Sequence, residues 1–243
     1  MKLNMGAVVG GAWKLWRSER ALLLPIAGVF LMLPTVIGTV WMVPPPAATD
    51  PAAPADLATL VEGMQGYVSA NLHWLLLETV MGLFGMGVIL ALFLDGSRPT
   101  VAEAMRVALR RFPALLLAQI VCQFAVVLGL LAFLIPGLYA VGRIFLIPAA
   151  IIAEPRRSAV DAMARGLQLT AGNGLALLGL QAMFYFAAQV VIALASTFTS
   201  LGQGNPVAVA VGALIAGAAN GGMALAYALL RVTAYREATA SRG

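Results

Sequence analysis

The sequence predicts an all-α polytopic membrane protein: six transmembrane helices forming three helical hairpins, with amphipathic helices lying at the cytoplasmic interface. Three observations predict it. First, the 243 residues are 61% hydrophobic and only 10% charged, with a mean hydropathy of +0.93, a balance found in membrane-embedded chains and not in soluble domains. Second, all but one of the 15 Lys and Arg residues fall in four short stretches: Lys2, Lys14, Arg17 and Arg20; Arg98, Arg106, Arg110 and Arg111; Arg156, Arg157 and Arg165; Arg231, Arg236 and Arg242. Third, long apolar runs separate those stretches, and the gaps 44–72, 136–137 and 199–205 hold no basic residue. Basic residues beside spans are retained in the cytoplasm, so this alternation predicts six spans with both termini inside and one integral domain over 1–243.

The elements follow in chain order. Over 4–17, Met5, Val9, Ala12, Trp13 and Trp16 share one helical face with Lys14 opposite, which predicts an interfacial helix. The apolar run 21–43 is the first span; it is too long for the roughly 7 to 15 residues of a signal-peptide core, so it is read as retained. The outer segment then divides. Pro44–Pro54 is rich in Pro and Ala and expected to be extended, whereas Leu57, Leu60, Val61, Met64 and Val68 make an apolar stripe, giving a short surface helix over 55–69. Span two covers 73–94.

On the next basic segment, 100–112, Thr100 and Glu103 form a capping-box pair, and Val101, Met105, Ala108, Leu109 and Phe112 face away from Arg106 and Arg110. Span three is 113–135. Pro136-Gly137 reads as a tight outer turn into a short fourth span, 138–153, which Pro148 should kink. Ser158 and Asp161 start a further interfacial helix over 158–171, with Gly172 placed to end it. Spans five and six are 174–198 and 206–230, each long enough for the roughly 20 apolar residues that cross a bilayer. Trp13, Trp16, Trp41 and Trp74 all fall at the expected interfaces, where indole rings prefer to sit. The stretches 12–24, 104–117 and 162–178 each run from a surface helix into a span, a weak parallel repeat that divides the chain into three hairpins.

Composition and motifs also exclude function classes. The net charge of +5 comes from residues flanking spans and not from a cluster interleaved with aromatics, so anionic inner-leaflet lipid is the expected partner and nucleic acid is not. The lipid contacts expected are Lys14, Arg17, Arg106, Arg110, Arg111, Arg156 and Arg157. Cys122 is the only cysteine, so no intrachain disulfide forms. His73 is the only histidine and sits at an interface; with no nucleophile elbow, phosphate loop or zinc motif either, no catalytic residue, metal ligand or cofactor is assigned. Thirteen Arg against two Lys, with abundant Ala and Gly, point to a GC-rich bacterial genome.

Two full charges lie inside spans, Glu78 and Arg143. Counted at about 1.5 Å per residue, both fall roughly 7 to 9 Å below the outer interface, where they form a candidate ion pair or, alternatively, snorkel separately to the headgroups. The uncharged polar positions within spans are Gln119, Gln123, Gln181, Gln189 and Asn220, read as interhelical hydrogen-bonding groups ahead of a polar pathway.

Three stretches, ALLLPIAGVFLMLP at 21–34, LDGSRPTVAEAMRVALRRFPALLLA at 94–118 and PGLYAVGRIFLIPAAIIAEPRRSAVDAMARGLQLTAGN at 136–173, carry a family likeness. Together they resemble the integral-membrane domain attached to some bacterial glycerophosphoryl diester phosphodiesterases and related stand-alone inner-membrane proteins, with Pro136, Gly137, Arg143 and Glu154 matching its pattern. The resemblance implies a six-span helical module. It implies no hydrolase, because that family's soluble catalytic barrel has no counterpart here. The expected function is therefore that of a non-catalytic inner-membrane anchor, scaffold or envelope-maintenance factor with a membrane or soluble protein partner. The alternative is a small transporter or permease component built around Glu78 and Arg143.

Overall fold

The computed structural model describes residues 3–43, 57–96, 99–155, 157–202 and 205–240. The expected extended stretch 44–54 and the cations Lys2, Arg98, Arg156 and Arg242 lie outside them. The described residues form α1 (Met5–Ala27), a π-helical turn (Gly28–Met32), α2 (Leu33–Trp41), α3 (Leu57–Leu94), α4 (Val101–Ala132), α5 (Leu134–Arg143), α6 (Ile147–Ala153), α7 (Ala159–Leu169), α8 (Gly174–Leu201) and α9 (Pro206–Ala240). The fold is all-α, and six runs are long and apolar enough to cross a membrane: Met5–Trp41, Ala58–Leu94, Val101–Ala132, Leu134–Ala153, Gly174–Leu201 and Pro206–Ala240.

Surface helix and span are fused in the first two repeats, which corrects the boundaries expected from hydropathy. Met5–Trp41 runs without a loop: the expected gap between 17 and 21 is a kink at Glu19 (φ −117°, ψ 16°), one and a half turns ahead of Pro25. Pro25 withholds an N–H from the ladder, and the following π turn absorbs the mismatch. α3 crosses residues 69–73 unbroken, because Ser69, Ala70, Asn71 and Leu72 include no strong breaker. The outer surface helix expected over 55–69 is thus the first third of a 38-residue helix. α4 likewise passes through Pro113, while its capping box at Thr100 and Glu103 forms as read from the sequence. Only the third repeat keeps its surface helix separate. There α7, capped by Ser158, ends before a turn at Thr170–Asn173 in which Gly172 takes φ 77°.

The fourth span also differs from expectation. Pro136-Gly137 is not the turn. One extended residue, Phe133 (φ −158°, ψ 138°), reverses the chain, and Pro136 sits in the first turn of α5, where its missing N–H costs nothing. Gly137 serves close approach instead: a Cβ there would lie 2.5 Å from the backbone nitrogen of Leu130 on α4. Pro148 does more than kink the span. The helix breaks over Ile144–Leu146 and restarts as α6 with Pro148 in its first turn. The sixth span runs on past residue 230 to Ala240, so Arg231 and Arg236 are helical and not part of a tail.

α9 packs against α8, α1, α2 and α3, α3 pairs with α4, and α5 packs chiefly between α4 and α8. The core gathers where the basic stretches meet: Val8, Leu23, Val88–Leu92, Ala104, Ala108, Phe145–Ile147, Leu169, Leu177 and Leu229–Leu230 are all buried together. Phe84 joins three helices there, its ring 5.3 Å from Phe30 and 6.3 Å from Phe112. Towards the opposite end the helices carry exposed Leu128, Leu131, Phe133, Ile135, Leu194 and Leu201. That apolar outer surface suits lipid, which demands no polar cover. A buried polar side chain ties this end. Asn71, 1% exposed, accepts from the Val43 N–H at 2.8 Å and donates to the Val43 carbonyl at 3.1 Å, fixing the end of the first run to α3. Trp41 and Trp74 stack beside it with centroids 6.2 Å apart.

Candidate functional site

Breaking a helix inside a membrane frees carbonyls that must find donors, since lipid offers none. At the α5–α6 break the chain supplies them from other helices. Thr170 Oγ1 donates to the Arg143 carbonyl at 2.7 Å. Arg231 Nε donates to the Phe145 carbonyl at 3.0 Å, and the same guanidinium lies 4.9 Å from the centroid of the Phe145 ring. Its Nη1 reaches the Met86 sulfur at 2.7 Å, so Arg231 ties α9 to both α3 and the break. The sequence reading ends the sixth span at residue 230, one position short of Arg231. The signal missed was that Val232, Ala234 and Tyr235 continue the buried face beyond it.

Arg143 ends α5, where a cation favours the negative end of the helix dipole. Its Nη1 donates to the Tyr139 hydroxyl at 3.2 Å and its Nη2 to the Leu167 carbonyl at 2.8 Å, while its shielded Nε has no partner. Glu78, in contrast, accepts from Thr35 Oγ1 at 2.6 Å and so joins α3 to α2. The structure does not bring Glu78 and Arg143 together, which corrects the expected ion pair. The reason is where the turn lies. With the reversal at Phe133, Arg143 is nine residues into its helix, roughly 13 Å along it, and meets the end of α7 among the basic segments. Glu78 stays nearer the Trp41–Trp74 end.

The ionic cluster among the described residues is centred on Glu154, just after α6. Its Oε1 accepts from the Tyr235 hydroxyl at 2.8 Å and from Arg165 Nε at 3.3 Å, and its Oε2 pairs with Arg157. One carboxylate thereby holds α6, α7 and α9. Close by, Arg236 donates to the Phe93 carbonyl at the end of α3, and the Leu3 N–H donates to Asn173 Oδ1 at 2.8 Å, fastening the start of the chain to the α7–α8 turn.

The other expected positions divide. Gln181 is tied inside the chain: its side-chain nitrogen donates to the Leu177 carbonyl at 3.2 Å, and its backbone carbonyl accepts from the Tyr227 hydroxyl at 2.7 Å. Gln189 and Asn220 are half-buried, and Gln119 and Gln123 are exposed on α4. Lys14, Arg17, Arg106 and Arg110 are exposed, Arg111 is half-buried, and Arg157 spends its charge on Glu154. Arg156 lies outside the described residues.

An apolar groove of about 260 Å³ runs between α1, α8 and α9 beneath Trp13 and Trp16. A polar one of about 600 Å³ lies among Glu19, Asp95 and Arg236, and two shallower ones flank Glu154 and Lys14. Glu78, Arg143 and the span amides line none of the four. No protein family, curated protein or solved structure matches this chain.

Proposed function

We propose that the chain is a non-catalytic, multi-pass protein of the bacterial cytoplasmic membrane, with both termini cytoplasmic, that serves as an anchor or scaffold in the envelope. One observation carries this reading. Three half-buried charges are committed to neighbouring helices, Glu78 to Thr35, Arg143 to Leu167 and Arg231 to Phe145, and this leaves them as struts and not as an open polar path. Exposed Lys14 and Arg17 on α1, and Arg106 and Arg110 on α4, stand opposite the buried Val8, Ala12, Ala104 and Ala108. That arrangement suits gripping an anionic leaflet, at about 1 kcal/mol per basic residue near the surface. The family resemblance belongs to the same proposal, since Pro136, Gly137, Arg143 and Glu154 all border the broken α5–α6 helix.

The broken helix itself speaks for a second reading, a small permease component, because discontinuous spans are where many transporters bind cargo. Proteoliposomes separate the two. The scaffold reading expects passive efflux of potassium, phosphate and small polar solutes to match that of empty vesicles, and Gln at Lys14, Arg17, Arg106 and Arg110 to lower retention of phosphatidylglycerol on the purified protein. A solute flux abolished by Glu78→Gln or Arg143→Gln contradicts it.

A further inference from the structure

Gln119 and Gln123 lie four residues apart on α4, both exposed and within the predicted span 113–135, with Gln123 at its middle and Gln119 one turn nearer its start. Among the described residues their amides make no hydrogen bond, and Ile120, Val121, Phe124 and Val127 around them are exposed apolar side chains. By contrast Gln181, on α8, donates to the Leu177 carbonyl of its own helix and lies 3.5 Å from the Val141 carbonyl of α5, a neighbouring helix within reach that neither glutamine of α4 has. Acyl chains offer neither donor nor acceptor, and headgroups and water do not reach mid-bilayer.

We propose that this face of α4 is the seam of a homodimer, paired about a two-fold axis along the membrane normal. A partner must bring amides to the same depth, and a second copy in the same orientation does so necessarily. A primary amide both donates and accepts, so each glutamine is complementary to its own counterpart across the axis, as an isologous contact requires. Cys122, between them, is buried against the chain's own core and faces away from the seam. The pairing stands independently of the scaffold reading.

The test is association of the full chain, fluorescently tagged at its terminus, in phosphatidylethanolamine–phosphatidylglycerol vesicles at varied protein density. Energy transfer between copies should rise with density. Gln119→Leu with Gln123→Leu, changes that make α4 better suited to lipid and threaten no internal contact, should raise the density needed about tenfold. Oxidising Gln123→Cys in a Cys122→Ala background should trap a covalent dimer. A wild type that stays monomeric at every density, a leucine variant that associates equally well, or capture of a different membrane protein by this face in place of the second copy overturns the proposal.

Discussion

Replacing Gly142 with alanine should destabilise the protein by about 3 kcal/mol, a large loss for one methyl group. The added Cβ would run into the Gly174 carbonyl oxygen and crowd the Leu178 nitrogen, both backbone atoms of α8. Neither can turn aside, so α5 and α8 must separate where α5 is about to break. Gly179→Ala on α8 is the matched control, because nothing lies within 4 Å of its added Cβ. There the helix should gain about 0.5 to 1 kcal/mol, the ordinary advantage of alanine over glycine. Reversible unfolding in bicelles by steric trapping measures both. Equal effects at the two positions would mean that α5 and α8 are not in backbone contact.

The second large effect is expected at Glu154. Glu154→Ala should cost about 2 to 4 kcal/mol, because it strands Arg165 and Tyr235 together in a half-buried setting and leaves Arg157 without its partner. The exposed half of the cluster contributes little, since Arg157 is 49% exposed and solvent screens it. Tyr235→Phe removes only one of the contacts and should cost about 1 kcal/mol. The loss should also be local in its signature: hydrogen exchange should rise first in α7, which the carboxylate ties to α6 and α9. If Glu154→Ala unfolds like the wild type with α7 equally protected, the cluster is a surface ornament.

How far the sequence reveals this architecture can be judged residue by residue. The spans were legible because hydrophobic runs and basic flanks report depth directly. The starts at Thr100 and Ser158 were legible because a capping side chain three residues ahead of an acid is a local event. Continuity was harder. Whether 17–21 or 69–73 is a loop or a helix depends on whether anything stops the helix, and a change in polarity alone does not. Pro136-Gly137 misled for a related reason: both residues have a second use, in a first helical turn and in close backbone approach. Partners were least legible. Hydropathy places Glu78 and Arg143 inside the membrane but says nothing of which neighbour each faces, and a turn displaced by three residues carries Arg143 about 4.5 Å deeper, to the middle of its span. Arg231 was hidden by being the first basic residue after an apolar run, although its helix continues through it.

The central claim is that the charges inside these spans bind helix to helix and do not form a shared polar site. Double-mutant cycles on unfolding free energy test it most directly, using Thr35→Val, Glu78→Gln and Arg143→Gln singly and in pairs. Thr35 and Glu78 are in contact, so they should couple by about 1 kcal/mol, whereas Glu78 and Arg143 should add within about 0.5 kcal/mol, as separate sites do. A coupling between Glu78 and Arg143 larger than that between Glu78 and Thr35 would contradict the account.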